Sequence, residues 1–120
     1  MERQRAEPTL LVDVKPDDTI AQQEVFGPVL AVIAFDDDDD AVAIANNSLY
    51  GLSGSVNSGD LERAKAVGRR IRAGTMSING GIYYSADVPF GGYRQSGLGR
   101  EMGIEGFEEY LETKAFAEPA

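Results

Sequence analysis

The sequence has no cysteine, no histidine and no tryptophan among its 120 residues. Without cysteine there is no disulfide, no thiolate nucleophile and no thiolate zinc site, and without histidine there is no imidazole base or metal ligand. Catalytic triads that need either residue are excluded for the same reason. Any reaction of these kinds would take its reacting groups from residues outside this chain.

Positive charge is scarce as well: 11 Lys and Arg residues stand against 20 Asp and Glu residues, which gives a net charge of −9. This balance disfavours a broad electrostatic attraction to nucleic acid or to anionic lipid. No apolar run approaches the ~18 residues of a membrane span, and the first residues lack the pattern of a signal peptide. These features predict a soluble, cytoplasmic protein that binds neither nucleic acid nor membrane.

Glycine, in contrast, is abundant, with 14 copies in the chain. Eight of them lie between Gly80 and Gly106, which predicts unusual backbone demands in that third of the sequence. Apolar residues make up 42% and charged residues 26%, as in ordinary globular proteins. The length suits one domain with one core, and no linker or internal boundary is visible.

Short apolar runs alternate with amphipathic segments over most of the chain. The run at residues 29–35 shows no alternation, which predicts a strand buried on both faces. The predicted strands are residues 9–14, 29–35, 52–57, 75–79 and 112–118, and the predicted helices are residues 41–47, a segment from Leu61 to a stop at Gly74, and residues 104–111. The β-α-β-α-β order predicts an α/β fold with a mostly parallel sheet and helices packed on it.

Two segments invite an ion or nucleotide interpretation, and both have a simpler structural one. Residues Asp36–Asp40 lack the alternating ligands and central glycine of a calcium loop, so we interpret them as the solvated start of a helix. The glycines of Gly97–Gly103 are spaced one residue too far apart for a dinucleotide loop, and no buried strand precedes them. Neither a metal site nor a pyrophosphate site is predicted. The glycine loop is instead expected to fit closely against neighbouring backbone.

The loop before residue 29 contains a carboxylate and an aromatic ring, Glu24 and Phe26. A carboxylate in such a loop is most often a solvated side chain beside a turn. Alternatively, its two oxygens could accept hydrogen bonds from the vicinal hydroxyls of a ribose, while Phe26 packs on a neighbouring ring. The residues alone leave both interpretations open.

Five segments occur in an order and with gaps that resemble one enzyme superfamily. They are EVFGPV at residues 24–29, NNSLYGL at 46–52, AGTMSIN at 73–79, PFGG at 89–92 and SGLGRE at 96–101. From Glu7 to the C-terminus, the chain resembles the last quarter of the NAD(P)-dependent aldehyde dehydrogenases. Each segment alone is a weak indication of this superfamily, whereas the five in this order are a specific one.

The resemblance implies an activity, a cofactor and a set of site residues. The activity is the oxidation of an aldehyde to a carboxylic acid with NAD or NADP. Glu24 is implied to hold the nicotinamide ribose hydroxyls and Phe26 to pack beside the nicotinamide. Ile82, Tyr84 and Phe90 are implied to line the substrate tunnel.

The resemblance also implies how the chain is organised. Residues 1–6 are expected to be an unstructured lead-in, and residues 7–120 to be the C-terminal part of an aldehyde dehydrogenase catalytic domain. Residues 112–118 are expected to form an oligomerisation strand that reaches a neighbouring subunit. The first five residues do not resemble the family, which suggests a truncated reading frame, a separately encoded remnant or an excised piece.

The family's catalytic cysteine, glutamate base and cofactor domain belong upstream of the matching segments, and none is in this chain. No catalytic residue is therefore assigned, and the chain alone is expected to be inactive and to bind NAD or NADP very weakly. Three hypotheses remain: a fragment without catalysis of its own, a non-catalytic module that binds itself or a partner, and a subunit that complements a separate N-terminal portion. A homo-oligomer or that N-terminal portion is the expected partner.

Overall fold

The computed structural model describes residues 6–81 and 84–119. The chain folds as two compact units, which comprise residues 1–49 and 50–120. The first unit contains β1 (Thr9–Leu11), α1 (Thr19–Gln22), β2 (Val29–Ala31) and α2 (Asp38–Asn46). The second contains β3 (Ser53–Val56), α3 (Leu61–Gly68), β4 (Thr75–Ile78), a 3₁₀ turn (Arg94–Ser96) and α4 (Gly103–Glu108).

Each unit is built around one pair of parallel strands. In the first unit β1 pairs with β2, with Leu10 opposite Leu30. In the second unit β3 pairs with β4, with Ser55 opposite Ser77. The α/β prediction and the parallel direction of the strands are confirmed. The described residues form two sheets of two strands each, where the sequence predicted one sheet.

The prediction that residues 29–35 form a strand buried on both faces is wrong. β2 is only three residues long, and Leu30 and Phe35 are 63% and 56% exposed. A strand is buried on both faces only when other layers cover both faces of its sheet. The described part of the first unit provides no such pair of layers.

Polar side chains tie α1, a helix that the sequence did not predict, to the end of α2. Gln22 Nε2 donates to the carbonyl oxygens of Pro16 and Asn47, at 2.7 and 2.8 Å. Asn47 Nδ2 donates to Asp17 Oδ1 at 3.0 Å. These bonds fix the point at which the chain enters the loop that carries Glu24.

The aspartate run forms the start of α2, as the sequence predicted. Asp37 is the N-cap and accepts the backbone N–H of Asp40 at 2.9 Å, and Asp40 Oδ2 accepts the N–H of Asp36 at 3.0 Å. The two bonds satisfy one N–H in the first turn of the helix and one just before its N-cap, and the acidic first turn suits the helix dipole. Among the described residues, no cluster of carboxylates could hold a metal ion.

One face of the second sheet packs against α3. Asp60 caps this helix, because Oδ1 accepts the N–H groups of Glu62 and Arg63 at 2.9 and 3.1 Å. The buried side of α3 contains Ala64, Val67 and Gly68. A Cβ at Gly68 would approach Ile78 Cδ1 to 3.1 Å and lie 3.9 Å from Met76 and Val56, so these three side chains point at the helix.

The predicted length of this helix is wrong, because α3 ends at Gly68 and not near Gly74. Gly68 is needed where the helix comes closest to the sheet, and glycine is a poor helix former. Arg70 and Ile71, which the predicted segment included, therefore lie beyond the helix.

The glycine-rich segment folds through close backbone contacts, as predicted. A Cβ at Gly74 would lie 1.7 Å from the carbonyl oxygen of Gly91, and a Cβ at Gly91 would lie 2.6 Å from that of Gly99. Phe90 and Glu101 exchange two backbone hydrogen bonds of 2.7 Å. Glycine is used here because the backbones approach too closely for any side chain.

The C-terminal end is exposed and largely irregular. The predicted helix at residues 104–111 is the shorter α4, which ends at Glu108. Residues 112–119 form no strand in the single chain, and Phe116 is 88% exposed. A strand requires a partner strand for its hydrogen bonds, so pairing of residues 112–118 with another subunit stays a prediction.

Few of the described side chains are buried. Of the described apolar side chains, Val42, Ala64 and Val67 are buried, at 8%, 0% and 9% exposure. The exposed surface is 9996 Å², whereas a compact protein of 12.9 kDa would expose ~6,300 Å² and two separate globules of 49 and 71 residues ~7,600 Å² together. No described helix combines the length and apolarity needed to cross a membrane.

Candidate functional site

The loop between α1 and β2 presents Glu24 and Phe26 to solvent. The Phe26 ring is 96% exposed, and within the described residues the Glu24 carboxylate has neither a hydrogen-bond partner nor an ion-pair partner. Two tight turns shape the loop, since Gly27 N–H donates to Val25 O at 2.6 Å and Val29 N–H to Gly27 O at 2.8 Å. The structure thus places a free carboxylate and a bare aromatic ring two residues apart.

Two of the predicted tunnel residues lie together in the second unit. The rings of Tyr84 and Phe90 meet edge to face, with their centroids 5.6 Å apart and their planes at 77°. Phe90 is fixed by its backbone bridge to Glu101, whereas Tyr84 is 66% exposed. Ile82, the third predicted tunnel residue, lies outside the described residues.

These rings form one wall of a groove of about 860 Å³. Val88 and Pro89 lie beside them, and β3 and β4 form the floor. Because side chains alternate along a strand and Met76 and Ile78 face α3, the groove side of the sheet carries the hydroxyl residues. These are Ser53, Ser55, Thr75 and Ser77, in two cross-strand pairs.

The hydroxyl floor was missed in the sequence analysis. Its signal is visible in SGSV and TMSI, where hydroxyl residues occupy alternate positions of two strands. Ser77 Oγ donates to Gly81 O at 2.5 Å. Thr75 Oγ1 is buried and has no partner in the described residues, which costs stability because a buried hydroxyl has lost its water.

Arg100 joins the two halves of the glycine-rich segment. Its Nη1 donates to the carbonyl oxygens of Gly92 and Gly99, at 3.0 and 2.6 Å. The guanidinium also lies over the ring of Tyr93, 5.2 Å from the centroid. Arg100 therefore stabilises the loop around PFGG through contacts with two carbonyl oxygens and one aromatic ring.

An ion pair on the surface of α3 involves Glu62, where the hydrogen bond from Lys65 and its charge lower the pKa of the carboxyl. Lys65 Nζ lies 2.8 Å from Glu62 Oε1 on the exposed side of α3. This surface pair supports the helix and marks no reactive site.

Comparison with known proteins assigns the family. Residues 3–116 match the Aldehyde dehydrogenase family. The chain is 50% identical to the 3-succinoylsemialdehyde-pyridine dehydrogenase of a Pseudomonas species over 110 residues, and 51% identical to a putative aldehyde dehydrogenase of Staphylococcus aureus strain USA300 over 112 residues. These matches cover 92% and 93% of this chain and 23% of each relative. The chain thus spans about a quarter of their length.

Solved structures give the same result. Betaine aldehyde dehydrogenase of Staphylococcus aureus, in complex with NAD⁺, has a TM-score of 0.85 and 46% identity over 90% of this chain and 21% of its own. Aldehyde dehydrogenase C of Pseudomonas syringae, in complex with NAD⁺ and octanal, has a TM-score of 0.83 and 52% identity over 89% of this chain and 22% of its own. The chain belongs to the aldehyde dehydrogenase family.

Proposed function

We propose that this chain supplies one cofactor contact and part of the substrate wall of an aldehyde dehydrogenase active site. The reaction is the oxidation of an aldehyde to a carboxylic acid with NAD or NADP. The thiol nucleophile and its base come from residues outside this chain, because the sequence contains no cysteine. The observation that carries this proposal is the 96%-exposed Phe26 ring beside the unpartnered Glu24 carboxylate.

Glu24 and Phe26 suit the nicotinamide half of the cofactor. The two oxygens of a carboxylate can accept hydrogen bonds from both hydroxyls of a ribose, and these bonds are charge-assisted. An exposed aromatic ring two residues away can cover the adjoining nicotinamide face. When bound, NAD(P)⁺ supplies the hydride acceptor, and these residues hold it in position.

The substrate contact is assigned to Tyr84 and Phe90, and by resemblance to Ile82. Apolar walls exclude water from a reacting carbonyl and orient the rest of the aldehyde. The pair of rings provides such a wall without any charged group.

The exposed surface supports a partner in the same assembly. The N-terminal portion of an aldehyde dehydrogenase would cover apolar side chains such as Leu10, Leu30 and Phe107, which are 59%, 63% and 64% exposed. We further propose that residues 112–118 pair with a neighbouring subunit, because an unpaired extended segment recruits other strands. A non-catalytic self-association module is the second candidate, favoured by the same exposed side chains.

Glu24→Gln tests the cofactor contact. The host is a chimera in which residues 7–116 of this chain replace the matching segment of a full-length relative. Loss of charge-assisted hydrogen bonds, worth ~1.5–3 kcal/mol, should slow hydride transfer about ten- to a hundredfold and weaken NAD⁺ binding. Stopped-flow NADH absorbance measures the hydride step, and calorimetry measures the affinity.

Glu7→Gln is the matched control, because it removes an exposed carboxylate outside the proposed contact. It should leave both quantities unchanged. If Glu24→Gln lowered the melting temperature and left the hydride step intact, Glu24 would be a structural surface residue and the assignment would be wrong.

A further inference from the structure

We infer that the groove between the β3–β4 floor and the Tyr84–Phe90 wall accepts aldehydes whose remaining part is uncharged, in preference to those that carry a carboxylate or an ammonium group. This inference rests on the proposed function, because it describes the substrate class of that site. It concerns only the charge of the substrate. It depends on the residues that line the groove, and Glu24 and Phe26 are not among them.

The floor of the groove provides hydrogen bonds but no charge. Ser53, Ser55 and Ser77 present their hydroxyl groups to it, whereas Thr75 Oγ1 is buried. A hydroxyl group can both donate and accept, so this surface suits neutral polar groups and water. Ser77 Oγ donates its hydrogen to Gly81 O, so the Ser77 hydroxyl oxygen can still accept a hydrogen bond from a ligand.

No charged side chain lines the groove among the residues that the structure describes. A bound carboxylate would lose water without gaining a cation in return, which is costly even when burial is partial. Arg100 is not among the residues that line this groove, and its Nη1 donates to the carbonyl oxygens of Gly92 and Gly99.

An ammonium group is disfavoured for a different reason. Cation–π recognition needs aromatic faces, and an aromatic cage uses several of them together. In the edge-to-face pair of Tyr84 and Phe90, the edge of one ring already covers a face of the other. The remaining surfaces suit an apolar group, and none of the described residues that line the groove carries a carboxylate.

Three probes of matched shape test this inference on the 120-residue chain without cofactor: 3,3-dimethylbutan-1-ol, which is neutral, choline, which is cationic, and 3,3-dimethylbutanoate, which is anionic. Amide chemical shifts of β3, β4 and residues 84–90 are followed during each titration. We expect saturable shifts with the alcohol, and at least fivefold weaker binding of choline and of the carboxylate. Equal or tighter binding of either ion, or no saturable shift with the alcohol, would overturn the inference.

Variants test whether the alcohol binds in this groove, and a matched control variant separates loss of binding from loss of fold. Tyr84→Ala, at a 66%-exposed side chain, should weaken binding of the alcohol severalfold, whereas Tyr110→Ala, at an 84%-exposed tyrosine outside this groove, should not. Ser55→Lys adds a cation to the floor and should reverse the preference, so that the carboxylate binds more tightly than the alcohol. If Tyr84→Ala and Tyr110→Ala had equal effects, the groove would not be the binding site.

The probes need neither the thiol nor the cofactor, so this result is independent of the chimera. A neutral preference with an inactive chimera would contradict the proposed function alone. An active chimera with an anionic preference would contradict the substrate class alone.

Discussion

The isolated chain is expected to form no NADH or NADPH from any aldehyde. The family reaction needs a thiolate to attack the carbonyl, and this sequence has no cysteine. It has no histidine either, so no serine can be activated by an imidazole base. Removing a catalytic nucleophile costs a factor of ~10⁶ in well-studied enzymes, which would place the rate below the background of an absorbance assay.

The measurement is the increase of NAD(P)H absorbance with purified chain, a panel of aldehydes and either cofactor. A full-length relative assayed in parallel shows that the conditions support turnover. Activity that follows the chain through two independent purifications would contradict the expectation and would demand a nucleophile other than a thiol.

Gly74→Ala is expected to abolish the cooperative unfolding of the second unit. The new Cβ would lie 1.7 Å from the Gly91 carbonyl oxygen and 2.8 Å from its carbon, so two backbone segments would have to separate. The same residue donates its N–H to Gly51 O at 3.0 Å, and that bond would be strained by the shift. Overpacking of this kind costs ~3 kcal/mol or more, a large fraction of the stability of a small domain.

Gly59→Ala is the matched control, because a Cβ there has no neighbour within 4 Å and the backbone is not left-handed. It should change the free energy of unfolding by less than about 1 kcal/mol, and in the stabilising direction, since alanine restricts the unfolded chain. Urea unfolding followed by circular dichroism compares the two variants. Equal midpoints would show that the Gly74–Gly91 contact does not support the fold.

Local sequence signals predicted the parts of the fold that local chemistry determines. The starts of α2 and α3 follow from Asp37 and Asp60, whose side chains accept backbone N–H groups of the first turn. The close contact of the glycine-rich segment followed from the glycines themselves. In each case the residues that create the feature lie within a few positions of it, or are glycines that allow the close approach of two backbones.

Features that depend on distant or absent neighbours were not predicted. The apolar run at residues 29–35 reads as a strand with both faces covered, yet Leu30 and Phe35 are exposed. The apolar character of that run fits a larger sheet than this chain forms alone. The end of α3 at Gly68 depends on the closest approach to β4, which no local pattern reveals.

The candidate site, too, was predicted only where local sequence signals were enough. Glu24, Phe26, Tyr84 and Phe90 were selected from family motifs, and the structure adds that the last two rings touch. The hydroxyl floor required knowledge of which strand face packs on α3. Alternation within SGSV and TMSI shows that hydroxyl residues share a face, but the register of β3 and β4 is needed to place them together.

The large exposed surface connects these observations. A surface of 9996 Å² exceeds even the ~7,600 Å² of two separate globules of this size. The remainder of an aldehyde dehydrogenase would cover the exposed apolar side chains, and a cofactor would contact the Glu24 carboxylate. One larger assembly would therefore explain both features. The net charge of −9 limits aggregation of the free chain, because like-charged copies repel one another.

The rate of NADH formation by the chimera that contains residues 7–116 is the decisive measurement. If this segment supplies a working cofactor contact and substrate wall, the chimera should oxidise an uncharged aldehyde within about tenfold of the parent enzyme, a change of less than ~1.4 kcal/mol in the barrier. A chimera that folds, assembles and retains its cysteine yet forms no NADH would show that the segment no longer serves an aldehyde dehydrogenase site.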